Sequence, residues 1–423
     1  MKFKKTTLPN GLRIITVPTK GNPAATVMVL VETGSNYESK AQNGLSHFLE
    51  HMCFKGTKKR PTALDISREL NSLGAMSNAG TSNELTVYYA KAAKKHFKKV
   101  LDILSDMYLN PTLPANEIEK ERGVILQEIS MYEDQPSSTV HNVLRELLYG
   151  NTSAGRPIIG PRENIKKFSR TDFINYRNTH YVAGKTTIIV AGDIKQGQVV
   201  SEIKKCFEHI PKGKVIGKAK VVDKQNTPAL KIQKKKTDQT HLILGFRAFN
   251  ARDKRVPILN VLATILGRGS SSRLFEKMRN EMGACYYVYA AAEDYTDHGT
   301  LIIPAGIEKR RLKEVVKTII SECKKLKDEP VSPHELNKAK EYSVGRMYLD
   351  LETTDSLAEF YADQEVSAKK LKKPQELEKE IRKVTAQDVT RVAREIFRDE
   401  NLNLAVVGNI SGLKPIRKVL TFK

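Results

Sequence analysis

Tryptophan is missing from the 423 residues, cysteine is scarce at four, and acidic residues fall well short of basic ones, 48 against 71. Each shortage excludes something. Cys53, Cys206, Cys285 and Cys323 are scattered without paired spacing, which excludes a disulfide framework and a cysteine-based zinc module and predicts reduced thiols in a cytoplasmic chain. No apolar run approaches the ~18 residues that a membrane span needs, so no membrane partner is expected. The N-terminal Met1–Gly11 enters a strand and turn at once, with no apolar signal core and little room for a transit peptide. The formal net charge of +23 comes from small dispersed groups such as Lys94-Lys95, Lys98-Lys99 and Lys324-Lys325. No finger, RNP or basic-region motif accompanies them, so they read as a solvated lysine-rich surface, with no nucleic acid bound. With 40% hydrophobic and 28% charged residues, the chain reads as soluble and globular. It is too long for one core, and two domains of about 200 residues are expected.

Against this background one stretch stands out, Gly44–Thr57. Leu45, Phe48, Leu49, Met52 and Phe54 follow a helical apolar pattern that Gly56 closes. On such a helix His47 and His51 are four apart and project from one face, a geometry that suits two ligands of a single Zn²⁺. Glu50 lies beside that face, placed to take a proton from a water at the metal without being a ligand. The order His-x-x-Glu-His is the inverse of the commoner zincin motif, the inverzincin arrangement. With 9 His in 423 residues, chance alone would place it in roughly one such chain per hundred.

Hydrolysis at a zinc site needs a third protein ligand and an open position. Glu121-Arg-Gly-Val-Ile-Leu-Gln-Glu128 offers two carboxylates two helical turns apart on a shared face, in a helix that Asn116 is placed to cap. One can bind metal while the other hydrogen-bonds a ligand histidine. Spacing does not say which, and an exposed acidic helix face is the plainer reading of such carboxylates.

Gly44–Thr57, with Glu121 and Glu128 following, resembles the pitrilysin-type (M16) zinc metallopeptidases, closest to the short branch that includes the mitochondrial processing peptidase β subunit. The likeness runs from Leu8-Pro-Asn-Gly-Leu-Arg-Ile14 to Val406-Val-Gly-Asn-Ile410. It implies His47, His51 and Glu128 as ligands of one zinc per chain, Glu50 as base, and Glu121 as hydrogen-bond partner of a ligand. It further implies that the strand entered at Asn78-Ala79 is an exposed edge on which an extended peptide substrate adds as a further strand. Two features depart from the pattern. Gly80 stands where the family often has an aromatic residue, and Ser138 and Asn142 stand where the mitochondrial enzyme carries acidic residues that receive a substrate arginine. Broad cleavage of unfolded peptides is therefore expected.

Along the chain, strands are expected over 3–8, 12–18 and 25–33, with Asn10-Gly11 a hairpin signal. A strand pair is expected over 78–89, its alternation carried by Leu85, Val87 and Tyr89. Pro211–Pro228, rich in Lys, Gly and Pro, reads as the linker between a zinc-binding domain, 1–210, and a second domain, 229–423. The second half repeats the first. Thr187–Ile194 matches Leu402–Ile410, Pro114-Ala-Asn-Glu117 matches Pro333-His-Glu-Leu336, and His47–Met52 is echoed loosely by Arg273–Met278. In that alignment Arg273 and Lys277 replace the histidines and Arg346 replaces Glu128, so the second copy lacks lone pairs for zinc. His298 and His334 lack ligand spacing and read as structural. Arg279–Tyr286 resembles the family's Arg/Tyr element, which implies that Arg279 and Tyr286 donate to the substrate carbonyl.

The expected fold is α+β, with two homologous α/β-sandwich domains (antiparallel-rich mixed sheets with packed helices) closing clam-like around a cavity. The expected function is that of a zinc endopeptidase. A homodimer is the expected assembly, with a heterodimer with a homologous subunit as the alternative, and with the chain's own second domain completing the site. The runner-up is a non-catalytic structural subunit of the same fold, which the intact zinc motif disfavours, and behind it stands a binder of anionic surfaces or nucleic acid, suggested only by the charge.

Overall fold

The structure, a computed structural model, describes residues 2–222, 224–410, 412 and 414–423. The chain forms two compact units, each assembled from three segments. The first comprises Met1–Ile129, Pro157–Ala219 and Leu349–Lys373, and the second Ser130–Arg156, Lys220–Tyr348 and Pro374–Lys423.

The first unit is built on a six-stranded mixed sheet. Its strands are β1 (Lys4–Thr7), β2 (Arg13–Pro18), β3 (Ala24–Val31), β4 (Met76–Thr81), β5 (Thr86–Ala93) and β6 (Thr186–Gly192), in the order β1-β2-β6-β3-β5-β4. Only β2 and β6 run parallel, Arg13 opposite Thr187. β3 and β6 are wholly or nearly wholly apolar and buried, which is what central strands covered on both faces require. On one face, Val27, Val29, Val31, Ile188 and Val190 pack with Phe48, Leu49, Leu104 and Phe173 from the helices above. The helix Thr354–Ser367 packs against β3, β5 and β6, joined through Thr354 to Thr26 (2.8 Å between hydroxyls) and through the buried Glu365 to Lys5 (2.7 Å) and Arg13 (2.9 Å). Because the sheet is covered twice, β5 departs from the expected alternation. Its most buried side chains are Thr86, Tyr88, Ala90 and Ala92, while Val87 and Tyr89 are only half-buried. β4 forms the edge, paired to β5 alone, with Met76, Ser77 and Asn78 exposed.

The second unit repeats this plan. Its strands are β7 (Ala229–Lys234), β8 (Thr240–Ala248), β9 (Cys285–Val288), β10 (Ala291–Asp294), β11 (Gly299–Ile307) and β12 (Leu402–Gly408), in the order β10-β11-β8-β12-β7, with β9 also on β11. β7 and β12 are the parallel pair, matching β2 and β6, and β8 and β11 take the places of β3 and β5. The helix Pro136–Tyr149 packs on this sheet through Val140, Val143, Leu144 and Leu148, against Ile243, Ile302, Ala405 and Val407.

The repeat is real, but element order changes one correspondence. The first α-helix after β3 is Leu45–Met52, and the first after β8 is Val256–Gly267. Arg273–Met278 belongs to the next helical stretch, partly in the widened π-helical turns of Phe275–Glu281. The counterpart of the histidine helix, Val-Pro-Ile-Leu-Asn-Val-Leu-Ala-Thr-Ile-Leu-Gly, therefore contains no His, Cys, Asp or Glu. The second copy still has nothing there to hold zinc, though for a different reason from the one the local likeness suggested.

The segment 211–228 carries no helix or strand among its described residues, as expected of a linker, yet both its parts are anchored. Lys218 pairs with Glu84 (3.2 Å) within the first unit, and the buried Val221 donates its N–H to Asp297 (3.0 Å) within the second. The units are thus not the contiguous halves expected on either side of it. Leu349–Lys373 lies in the first unit and Ser130–Arg156 in the second.

Candidate metal centre

The helix Leu45–Met52 is barely two turns long and gets little stability from its own hydrogen bonds. It is fixed from outside at its N-terminal end. Gly44 enters it at φ +101°, where a Cβ would lie 2.7 Å from the Ile159 carbonyl oxygen, so only glycine fits. Gly44 has no side chain to cap the helix, and the buried carboxylate of Glu38 caps it instead. It accepts from the N–H groups of Gly44 (2.8 Å) and Ser46 (2.6 Å) and from the Asn43 amide (3.1 Å). Burial raises the pKa of Glu38 against the lowering effect of these hydrogen bonds. Ser46 continues the polar network to Tyr176 (2.6 Å), and Tyr176 to Thr33 (2.8 Å). Leu45, Phe48, Leu49 and Met52 face the core at 0–1% exposure, with Phe48 edge-on to Phe173 at 4.8 Å.

This anchoring leaves His47 and His51 on the opposite face, their ring centroids 4.7 Å apart. The helix Ala115–Asp134 brings Glu128 against both. Its carboxylate oxygens lie 3.7 Å from His47 Nε2 and 3.8 Å from His51 Nε2, and the three donor atoms fall within 4.8 Å of one another. Zinc ligands at ordinary bond lengths on a tetrahedron lie roughly 3.4 Å apart, so this set is already close to a coordination shell. Glu121, one helical repeat earlier, accepts from His51 Nδ1 at 2.8 Å, which leaves Nε2 as the atom with a lone pair for metal. The two carboxylates that spacing could not separate are thus told apart by position, Glu128 near both Nε2 atoms and Glu121 on His51 Nδ1. The other oxygen of Glu121 is held by Lys55 Nζ at 2.5 Å.

The electrostatics suit a cation. Burial, with a contribution from His51, pushes the pKa of His47 down to about 4, so its imidazole is neutral at physiological pH and free to coordinate. Burial alone would lower His51 too, but the hydrogen bond to Glu121 and the charges of Glu50, Glu121 and Glu128 outweigh it and raise its pKa. Those three carboxylates make a negative field that a divalent ion satisfies. Glu121 is itself held below the ordinary carboxylate range, because its hydrogen bonds to His51 and Lys55 overcome the cost of burial. Glu50 is 9% exposed and raised, chiefly by burial and despite a hydrogen bond from Thr81. Two imidazoles and a carboxylate, convergent and partly buried, are a donor set that fits zinc.

His47, Glu50, His51, Glu121 and Glu128 are therefore brought together in one unit. Asn78 and Ala79 lie in the same unit on the edge strand β4, with the Asn78 side chain accepting from the Ala79 N–H (2.9 Å). Arg279 and Tyr286 belong to the second unit. There Arg279 donates to the Cys285 carbonyl (2.7 Å), and Tyr286 is 57% exposed. Cys53 is buried in the core as expected, its thiol pushed up to about 11 by desolvation. Sequence reasoning passed over Glu38, Lys55 and Thr81. Lys55 stands four residues past His51, but only the fold shows that Glu121 waits there.

A family profile described as Insulinase (Peptidase family M16) matches residues 13–162, and one described as Peptidase M16 inactive domain matches residues 167–342. The chain is 35% identical over 400 residues to the uncharacterized zinc protease YmxG of Bacillus subtilis, covering 94% of this chain and 96% of that one. It is 30% identical to the uncharacterized zinc protease SCO5738 of Streptomyces coelicolor over 96% of this chain and 89% of the relative. Among solved structures, a protease from Helicobacter pylori superposes with a TM-score of 0.90 at 23% identity, covering 96% of this chain and 99% of that one, a likeness of fold.

Proposed function

Because this chain belongs to the M16 peptidase family, whose relatives above are named zinc proteases, we propose that it is a zinc-dependent endopeptidase acting on peptides and unfolded polypeptide segments. The observation that carries the reading is the convergence of His47, His51 and Glu128 with Glu50 beside them. His47, His51 and Glu128 would hold the metal. A zinc ion held there would supply a water of lowered pKa, about 7, and a Lewis acid for the scissile carbonyl.

The rest is the work of the chain's own side chains. Glu50 accepts the proton that water loses as it adds to the carbonyl carbon, then returns it to the leaving amine. Its raised pKa suits a group that must take up and give back a proton. Glu121 keeps His51 in the tautomer with its lone pair on Nε2. The extended substrate adds to β4 beside Asn78 and Ala79, where the backbone groups of an edge strand are available for pairing. The family resemblance assigns to Arg279 and Tyr286 the donation to the carbonyl oxygen as negative charge develops on it. Gly80 adds no side chain to the edge strand, and a Cβ there would meet nothing within 4 Å, which favours broad selection. We also propose a cytoplasmic homodimer. The free thiols and the general preference for twofold assemblies support it, and sedimentation equilibrium tests the mass.

The test of function is zinc analysis paired with cleavage of a quenched peptide library. About one zinc per chain and cleavage at many sequences is the expected result. Zinc without cleavage would favour the structural-subunit reading.

A further inference from the structure

Thr81 is the last residue of β4, and its hydroxyl donates to Glu50 Oε2. Among the described residues it is the one hydrogen-bond donor that this carboxylate has. Thr81 is itself held in place, because it sits directly opposite Thr86 in the β4–β5 ladder. Thr86 Oγ1 lies 3.5 Å from Thr81 Oγ1 and donates to the Thr33 carbonyl at 3.0 Å. A β-branched side chain in a strand has few rotamers open to it, so this hydroxyl is aimed by the hairpin.

The carboxylate it meets has a different problem. The terminal torsion of a glutamate is broad and roughly two-fold, so an unanchored carboxylate spreads its oxygens over many directions. A base that must collect a proton from one point and deliver it to another is effective only while one oxygen faces both. Fixing Oε2 on Thr81 leaves Oε1 to do that.

We propose that Thr81 is the positioning residue for Glu50, tying the orientation of the base to the strand on which the substrate adds. The inference rests on the zinc-peptidase reading and adds a residue that reading does not use. Thr81 ligates nothing and its side chain is not asked to hold the peptide. Its loss is therefore expected in kcat, with KM and metal affinity spared.

The test compares Thr81→Val, which keeps the shape and removes the hydroxyl, with Thr81→Ser, which keeps the hydroxyl. Steady-state cleavage is measured alongside the zinc dissociation constant by chelator competition and the thermal midpoint. Thr81→Val is expected to lose at least tenfold in kcat, with KM and zinc affinity within about twofold of wild type, and Thr81→Ser to recover most of the rate. Should the valine variant fold poorly, Thr81→Ala replaces it in the same comparison. A wild-type chain that binds zinc and cleaves, beside a valine variant just as fast, overturns this inference alone. So does a loss that falls wholly in KM or zinc content, or one that serine fails to restore. A wild-type chain with neither zinc nor cleavage overturns the zinc-peptidase reading and this inference with it.

Discussion

At the scale of single residues, the centre is graded by distance from the metal position. In the proposed centre Glu128 would offer a ligand oxygen, Glu121 would act through His51, and Lys55 through Glu121. Loss of zinc should follow the same grading. Glu128→Gln is expected to come off a desalting column free of zinc, whereas Glu121→Gln and Lys55→Met should still bind it, about 10- to 100-fold more weakly by chelator competition. Full metal in Glu128→Gln would move the third ligand elsewhere. A second residue-scale consequence lies away from the metal. His180 is buried, accepts from the ammonium of the buried Lys185 at 3.0 Å, and is pushed down to about 3 by desolvation and by that charge. The unfolded chain takes up a proton on this histidine near pH 6.5, and the folded chain does not until about pH 3. Between those values the unfolded state holds more protons, so stability falls as pH is lowered through the window, by up to ~1.4 kcal/mol per pH unit from this group. Urea titrations from pH 7 to pH 4 should show a shallower decline for His180→Gln than for wild type, and equal slopes would refute the assignment. The cluster of His47, Glu50 and His51 was legible because one helix carries all three at fixed spacing. Glu38, Lys55 and Thr81 were not, because each works across a fold contact that spacing does not encode.

At the scale of elements, the helix Leu45–Met52 shows what the pattern could and could not say. Leu45, Phe48, Leu49 and Met52 were written at helical spacing and are buried, with Ser46 and Glu50 buried beside them. Nothing in the pattern showed that its N-terminus hangs on a carboxylate six residues before Gly44. Glu38→Ala would leave three buried donors without their acceptor, so a loss of at least ~2 kcal/mol in unfolding free energy is expected, with zinc bound more weakly. A melting curve unchanged from wild type would show that the cap is dispensable. β5 was legible as a strand but misread in its parity, since both faces are packed and both carry apolar residues. The second copy of the metal helix was misplaced for a related reason. A six-residue likeness at Arg273–Met278 outweighed element order, which only the observed succession of strands and helices makes visible.

At the scale of the whole molecule, the duplication and the two sheets were legible, whereas the interleaving of the units was not. Amphipathic helices announce that they cover something, but the sequence does not say which sheet. A chain ending at Ala219 would lack Leu349–Lys373, and with it the Glu365 carboxylate that Lys5 and Arg13 meet and the helix packed on β3 and β6. Such a fragment is expected to show no cooperative thermal transition by circular dichroism, and a sharp melt near that of the full chain would contradict the interleaved division. The unit that carries His47, His51 and Glu128 also takes Leu349–Lys373 from late in the chain. The most direct test is therefore made on the full chain, by measuring zinc stoichiometry and peptide turnover on wild type and Glu50→Gln side by side. The account predicts about one zinc per chain in both, with turnover in wild type and a loss of several orders of magnitude in the variant. A Glu50→Gln chain that keeps most of its turnover, or that loses its zinc, would contradict it.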